Sequence, residues 1–141
     1  MKQFIRKLVR WEYACLALLV AANLAIHFTI INNPPVVIFD ETYYITDART
    51  ILVEHTTNRT EHPPLGKLLI TSGVALFGDN PVGWRTLSIL FGTANIVLLY
   101  LICRSLTMSV RASNMAAFLL TFENLSFVQG SIFLGRQITQ E

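Results

Sequence analysis

Apolar positions in this chain come in long unbroken blocks, not in the short alternations of a half-buried strand or the single stripe of a soluble helix. Ala14 to Ile31 carries scarcely a polar side chain and predicts a first membrane span over about residues 13–31. Leu87 to Cys103 predicts a second over about 84–103, and Ala112 to Leu134 a third over about 112–134. The stretch between the first two, residues 32–82, is organised differently. Asn32-Asn33-Pro34-Pro35 must end the first helix, because proline donates no backbone hydrogen bond and pushes the residue before it out of the helical region. From Thr42 to Glu54 the apolar positions Tyr44, Ala48, Ile51 and Leu52 suit an amphipathic helix lying near the membrane surface. Leu68 to Gly78 is apolar but only about half the roughly 20 residues that a crossing needs, so it reads as an interfacial or re-entrant helix broken by Gly78-Asp79-Asn80-Pro81. The expected architecture is all-α and integral to the membrane, with about three transmembrane helices and an external loop, 32–82, holding the shorter helices.

Composition agrees with a membrane protein and excludes an ordinary soluble domain: of 141 residues 52% are hydrophobic and 14% charged, and the mean hydropathy is +0.49. A formal charge of +2 points to no nucleic-acid partner. The placement of the charges says more. Lys2, Arg6, Lys7 and Arg10 precede the first span and Arg104 and Arg111 flank the loop after the second, whereas residues 32–82 hold three cationic side chains against six carboxylates. The basic segments therefore belong in the cytoplasm with the N-terminus, and 32–82 outside, in a multi-pass protein of a prokaryotic plasma membrane or a eukaryotic endoplasmic reticulum. A cleaved signal peptide would share the basic start, but no small-residue cleavage site closes the apolar core. Cys15 and Cys103 lie in apolar segments without metal-ligand spacing and read as packing thiols. Asn23 and His27, four apart, are expected to hydrogen-bond to a neighbouring helix. Asn58-Arg59-Thr60 matches a glycosylation sequon, meaningful only in a eukaryotic lumen.

The chemistry sits in Phe39 to Lys67. Asp40 and Glu41 are adjacent, so their side chains diverge; one would face a site and the other support it. Two solvated loop acids are the plain alternative, against which stands their position at the mouth of a span, where partial desolvation makes a carboxylate a better base. Glu61-His62-Pro63-Pro64-Leu65-Gly66-Lys67 adds an imidazole and an ammonium on a rigid turn. Lys67 could hold a phosphate as a point charge or simply snorkel to the interface, and His62 could donate to phosphate or bond to backbone. Arg85, next to Trp84, can grip a phosphate bidentately or act as an interfacial anchor. Glu123 lies in the third apolar run, where an isolated carboxylate costs about 3 kcal/mol, so it must be neutral, paired or turned to a polar interior.

Taken in order, FDE at 39–41, EHPPLGK at 61–67, GWR at 83–85 and FEN at 122–124 resemble the N-terminal part of the protein O-mannosyltransferase family, one of the membrane glycosyltransferases that use polyprenyl-phosphate sugars. The resemblance implies inverting transfer of a sugar from a polyprenyl- or dolichyl-phosphate donor to a hydroxyl acceptor, such as a protein serine or threonine, on the external or lumenal face. It implies Asp40 as the base, Glu41 as its essential neighbour and Arg85 near the donor phosphate, with Lys67 and His62 in the matching HPP motif; it implies no cofactor and leaves a metal open. The chain departs from the pattern near its end, where Gln129-Gly130-Ser131 and Leu134-Gly135-Arg136 stand in place of the family's second acidic loop. It is therefore expected to be a fragment or truncated copy that a complementing C-terminal chain would complete. The alternatives are an inactive remnant or small membrane-interaction subunit, and, ranked last, a piece of a transporter.

Overall fold

The computed structural model describes residues 2–37, 40–56 and 64–123, with side chains described from Tyr13 onward. Among the described residues the fold is helical throughout, without strands. The helices are α1 (Lys2–Ile30), α2 (Glu41–Glu54), α3 (Pro64–Phe77), α4 (Pro81–Ser105) and α5, described over 110–123. Two apolar stretches are long enough to cross a membrane, Tyr13–Ile30 within α1 and the whole of α4, Pro81–Ser105. The third expected span begins as α5, but residues 124–134 of it lie outside the described residues. So do His62 and the sequon.

Helix boundaries follow from local chemistry. The proline at position 64 opens α3 and that at 81 opens α4, where the missing N–H is no loss and the fixed φ is already helical. Helix α3 therefore starts four residues before the apolar run suggested. Asn80 caps α4: its Oδ1 accepts from the backbone N–H of Val82 at 2.9 Å and of Gly83 at 3.2 Å. Gly78, at φ 87°, ends α3 and donates its N–H to the Val74 carbonyl at 2.9 Å. His55 ends α2 in the left-handed region, donating to the Ile51 carbonyl at 3.0 Å.

The chain forms two compact units. The first takes in α1 as far as His27, α4 from Phe91 onward, and α5. Its core is Leu16, Ile96, Tyr100 and Ala117, flanked by Leu19, Val20 and Leu120. Tyr13 meets Tyr100 edge-on with ring centroids 5.8 Å apart. Within this apolar setting the Asn23 amide donates to Thr93 Oγ1 on α4 at 2.9 Å, the expected bond to a neighbouring helix. His27 differs from expectation. Its Nδ1 donates to the Asn23 carbonyl of its own helix at 2.8 Å, a bond that places the ring proton on Nδ1 because a carbonyl can only accept. Cys103 is buried, as a packing thiol should be, whereas Cys15 is exposed.

The second unit runs from Phe28 to Leu90 and contains α2, α3 and the first turns of α4. Helix α2 packs on α3, and Ile45, Ala48, Val74 and Trp84 form the core with Val37 and Ile70 against it. Helices α3 and α4 approach backbone to backbone at Gly73 and Gly83. A Cβ on Gly73 would collide with the Gly83 carbonyl, and one on Gly83 with the Gly78 carbonyl, so neither position accepts a side chain without moving backbone.

Candidate functional site

The acidic pair stands where α2 begins. Glu41 is the first helical residue, its negative charge favourably placed at the positive end of the helix dipole. Arg85, in the second turn of α4, reaches it with two parallel hydrogen bonds: Nε donates to Glu41 Oε1 at 2.8 Å and Nη2 to Oε2 at 2.9 Å. The same guanidinium also ties down the connection after α1. Nη1 donates to the carbonyls of Ile31 at 2.8 Å and Pro34 at 2.9 Å, and Nη2 to that of Val36 at 3.3 Å. All five N–H donors of Arg85 are thus engaged. With side chains 14% and 30% exposed, Arg85 and Glu41 are shielded enough for the pair to matter energetically.

Asp40 contrasts with its neighbour. It occupies the N-cap position of α2, yet its side chain makes no capping bond and it is exposed. Its backbone, at φ −61° and ψ −22°, is already helical, which takes the carboxylate away from the N–H groups that a cap would reach.

Lys67 is not at the surface. It is buried, with Nζ 2.8 Å from Asp47 Oδ2 in an ion pair whose side chains are 3% and 6% exposed. The ammonium therefore faces a carboxylate of α2, and neither snorkelling nor an open phosphate perch describes it in this arrangement. Asp47 was not singled out by the sequence, although its place seven residues after Asp40 put it on the same helical face. Trp84 is also buried, and donates its indole N–H to Asp79 Oδ1 at 2.7 Å. Glu123 is exposed at the last described position of α5. Among the described residues no three His, Cys, Asp or Glu side chains gather as a metal site.

Asp79 also receives Arg49 in a fork, Nε to Oδ2 at 2.7 Å and Nη2 to Oδ1 at 3.1 Å, fastening α2 to the α3–α4 turn. The Arg49 hydrogen bonds, with help from the Trp84 indole and against some desolvation, hold the Asp79 carboxyl below its ordinary pKa. Its contribution to stability is complete above the ordinary aspartate range and is lost as pH falls through the lowered folded value. Asp79→Asn should therefore flatten the acid limb of an unfolding-versus-pH curve below about pH 4. The loss at neutral pH should be about 1 kcal/mol or less, because both side chains are roughly half exposed.

Among the described residues the fold is all-helical, with two apolar helices of the length that crosses a membrane, and at the start of α2 Arg85 holds Glu41 beside the exposed Asp40. Comparison with known families specifies it further. A family model described as dolichyl-phosphate-mannose-protein mannosyltransferase matches residues 61–138, and a second of the same description matches 17–84. The chain belongs to this family. Curated relatives include polyprenol-phosphate-mannose–protein mannosyltransferases of Mycobacterium tuberculosis, 36% identical over 97 residues, and of Mycolicibacterium smegmatis, 35% identical over 97 residues. Each of these alignments covers 64% of this chain and 19% of the relative. A third, from Corynebacterium glutamicum, is 32% identical over 94 residues, covering 58% of this chain and 18% of the relative. The chain thus spans about a fifth of the length of the relatives it matches. No solved structure matches it.

Proposed function

We propose that the chain supplies the acidic half of the active site of a protein mannosyltransferase, which moves mannose from a polyprenyl-phosphate donor to a protein hydroxyl with inversion. Asp40 takes the proton of the acceptor hydroxyl as its oxygen attacks the anomeric carbon. The bond from that carbon to phosphate oxygen breaks, and the polyprenyl phosphate leaves with the electron pair. Glu41 and Arg85 keep Asp40 in place. The Arg85 hydrogen bond to Val36 is its longest, at 3.3 Å, and exposed, so it is the one that a phosphate oxygen would displace while the fork to Glu41 stays closed. Direct contact of Lys67 with phosphate would require its pair with Asp47 to open; His62 remains a candidate donor to phosphate. The N-terminus lies in the cytoplasm, 32–82 on the external face, and the spans at about 13–31, 84–103 and 112–134 bring the lipid-borne donor to the loop.

The observation that carries this reading is the division of labour between neighbours: one carboxylate is gripped by five-donor Arg85 and the next is exposed and caps nothing. The test is mannose transfer from polyprenyl-phosphate-mannose to a serine- and threonine-rich peptide. Membranes holding the chain alone are compared with membranes in which it is co-expressed with the remaining portion of a mycobacterial relative. Transfer in the second preparation is expected. Its absence from both, with both pieces inserted, would favour an inactive membrane-interaction subunit.

A further inference from the structure

We infer that Asp47 is a positioning residue for Asp40: by pairing with Lys67 it sets the rotation of α2 about its own axis, and so the direction in which Asp40 presents its carboxylate. The inference rests on the reading of Asp40 as the base. Because the backbone of Asp40 is helical, it turns with α2 as one body. Seven residues are close to two turns, which puts Asp40 and Asp47 within about 20° of one another around the helix, with Tyr44 on the same stripe.

The first turn of α3 lies against that stripe. Gly66 is close to the Tyr44 ring, where a Cβ would stand 3.4 Å from Cε1, and the next residue is Lys67. Both charged side chains are more than nine-tenths buried. A surface pair tolerates many geometries, but an ammonium and a carboxylate held away from water attract each other strongly at 2.8 Å, and a rotation of α2 that separated them would cost that attraction. An apolar pair of the same size would hold the two helices together equally well without specifying their rotation. Arg85 fixes where α2 begins; Asp47 and Lys67, about two turns along, fix which way it faces.

The test uses the enzyme assembled in membranes, with polyprenyl-phosphate-mannose as donor, and reads kcat per inserted molecule, KM for the donor, and the labelling rate of a cysteine at exposed position 42 by an impermeant maleimide. Asp47→Asn should lower kcat about a hundredfold with little change in KM, the size expected of a misplaced reacting group. It should also change the labelling rate at 42. Exchange of the two charges, Asp47→Lys with Lys67→Asp, should recover about tenfold of the lost turnover. If Asp47→Asn does not accumulate, Asp47→Glu, which keeps the charge but lengthens the reach, should accumulate and show the same split in milder form. Wild-type kcat per inserted molecule in these variants would overturn the inference. An unchanged labelling rate would do so too, and because labelling needs no catalysis it holds even if Asp40→Asn proves that Asp40 is not the base.

Discussion

Arg85→Ala should loosen the start of α2 and the connection after α1 together, lowering stability by about 2–4 kcal/mol. The substitution removes two hydrogen bonds to Glu41 and three to the carbonyls of Ile31, Pro34 and Val36, taking from a partly buried carboxylate its guanidinium counter-charge and from three carbonyls these donors. The loss stays below the upper limit for a fully buried pair because the Glu41 side chain is 30% exposed. Arg85→Lys keeps the charge but offers one point of attachment in place of a planar fork, so it should recover only part of the loss. Unfolding in detergent, joined with protease sensitivity of the 31–41 connection, reads the effect. A double-mutant cycle with Glu41→Gln should give a coupling of about 1–3 kcal/mol. A loss under about 0.5 kcal/mol for Arg85→Ala, the range of an ordinary surface change, would mean that the clamp does not hold the site.

Asp40→Asn should do the reverse, leaving stability within about 0.5 kcal/mol and lowering mannose transfer by about 10²–10⁴-fold. The stability half follows from its exposure and its lack of a capping bond. The catalytic half follows from chemistry: asparagine has the shape of aspartate but cannot take up the acceptor proton, so kcat falls while donor binding, made elsewhere, is kept. Glu41→Gln is the informative neighbour. It should lose stability and turnover together, because its carboxylate is the counter-charge of Arg85. Equal behaviour of the two adjacent acids would contradict the roles assigned to them.

Much of the local structure was legible because it depends on near neighbours. The Asn-Asn-Pro-Pro sequence ends α1, the Gly78 to Pro81 turn separates α3 from α4, and the acidic pair does open a helix. What the sequence concealed are the contacts made at long range. Nothing near Arg85 announces that it reaches Glu41, 44 positions away, or the carbonyl of Ile31, 54 away. In sequence it looks like any arginine at the mouth of a span. Lys67 misled for a related reason: at the start of an apolar helix a lysine ordinarily reaches for water, and only the packing of α2 on α3 brings Asp47 to it and buries both. Trp84, beside Arg85 at the start of the second span, is buried and its indole N–H finds Asp79 across the turn, a contact that its neighbours in sequence do not announce. The adjacent acids stand out in the sequence as candidates, while which acid is held and which is exposed depends on tertiary contacts.

The account turns on which side of the membrane Asp40 meets. Labelling of Asp40→Cys with an impermeant thiol reagent, applied to intact and then to inverted membrane vesicles, tests this most directly, since Cys15 and Cys103 lie within the apolar helices. Reaction from the external face, slowed by added polyprenyl-phosphate-mannose, is the predicted result; reaction from the cytoplasmic face alone would contradict it, for the base could then not meet a donor and acceptor on the outside.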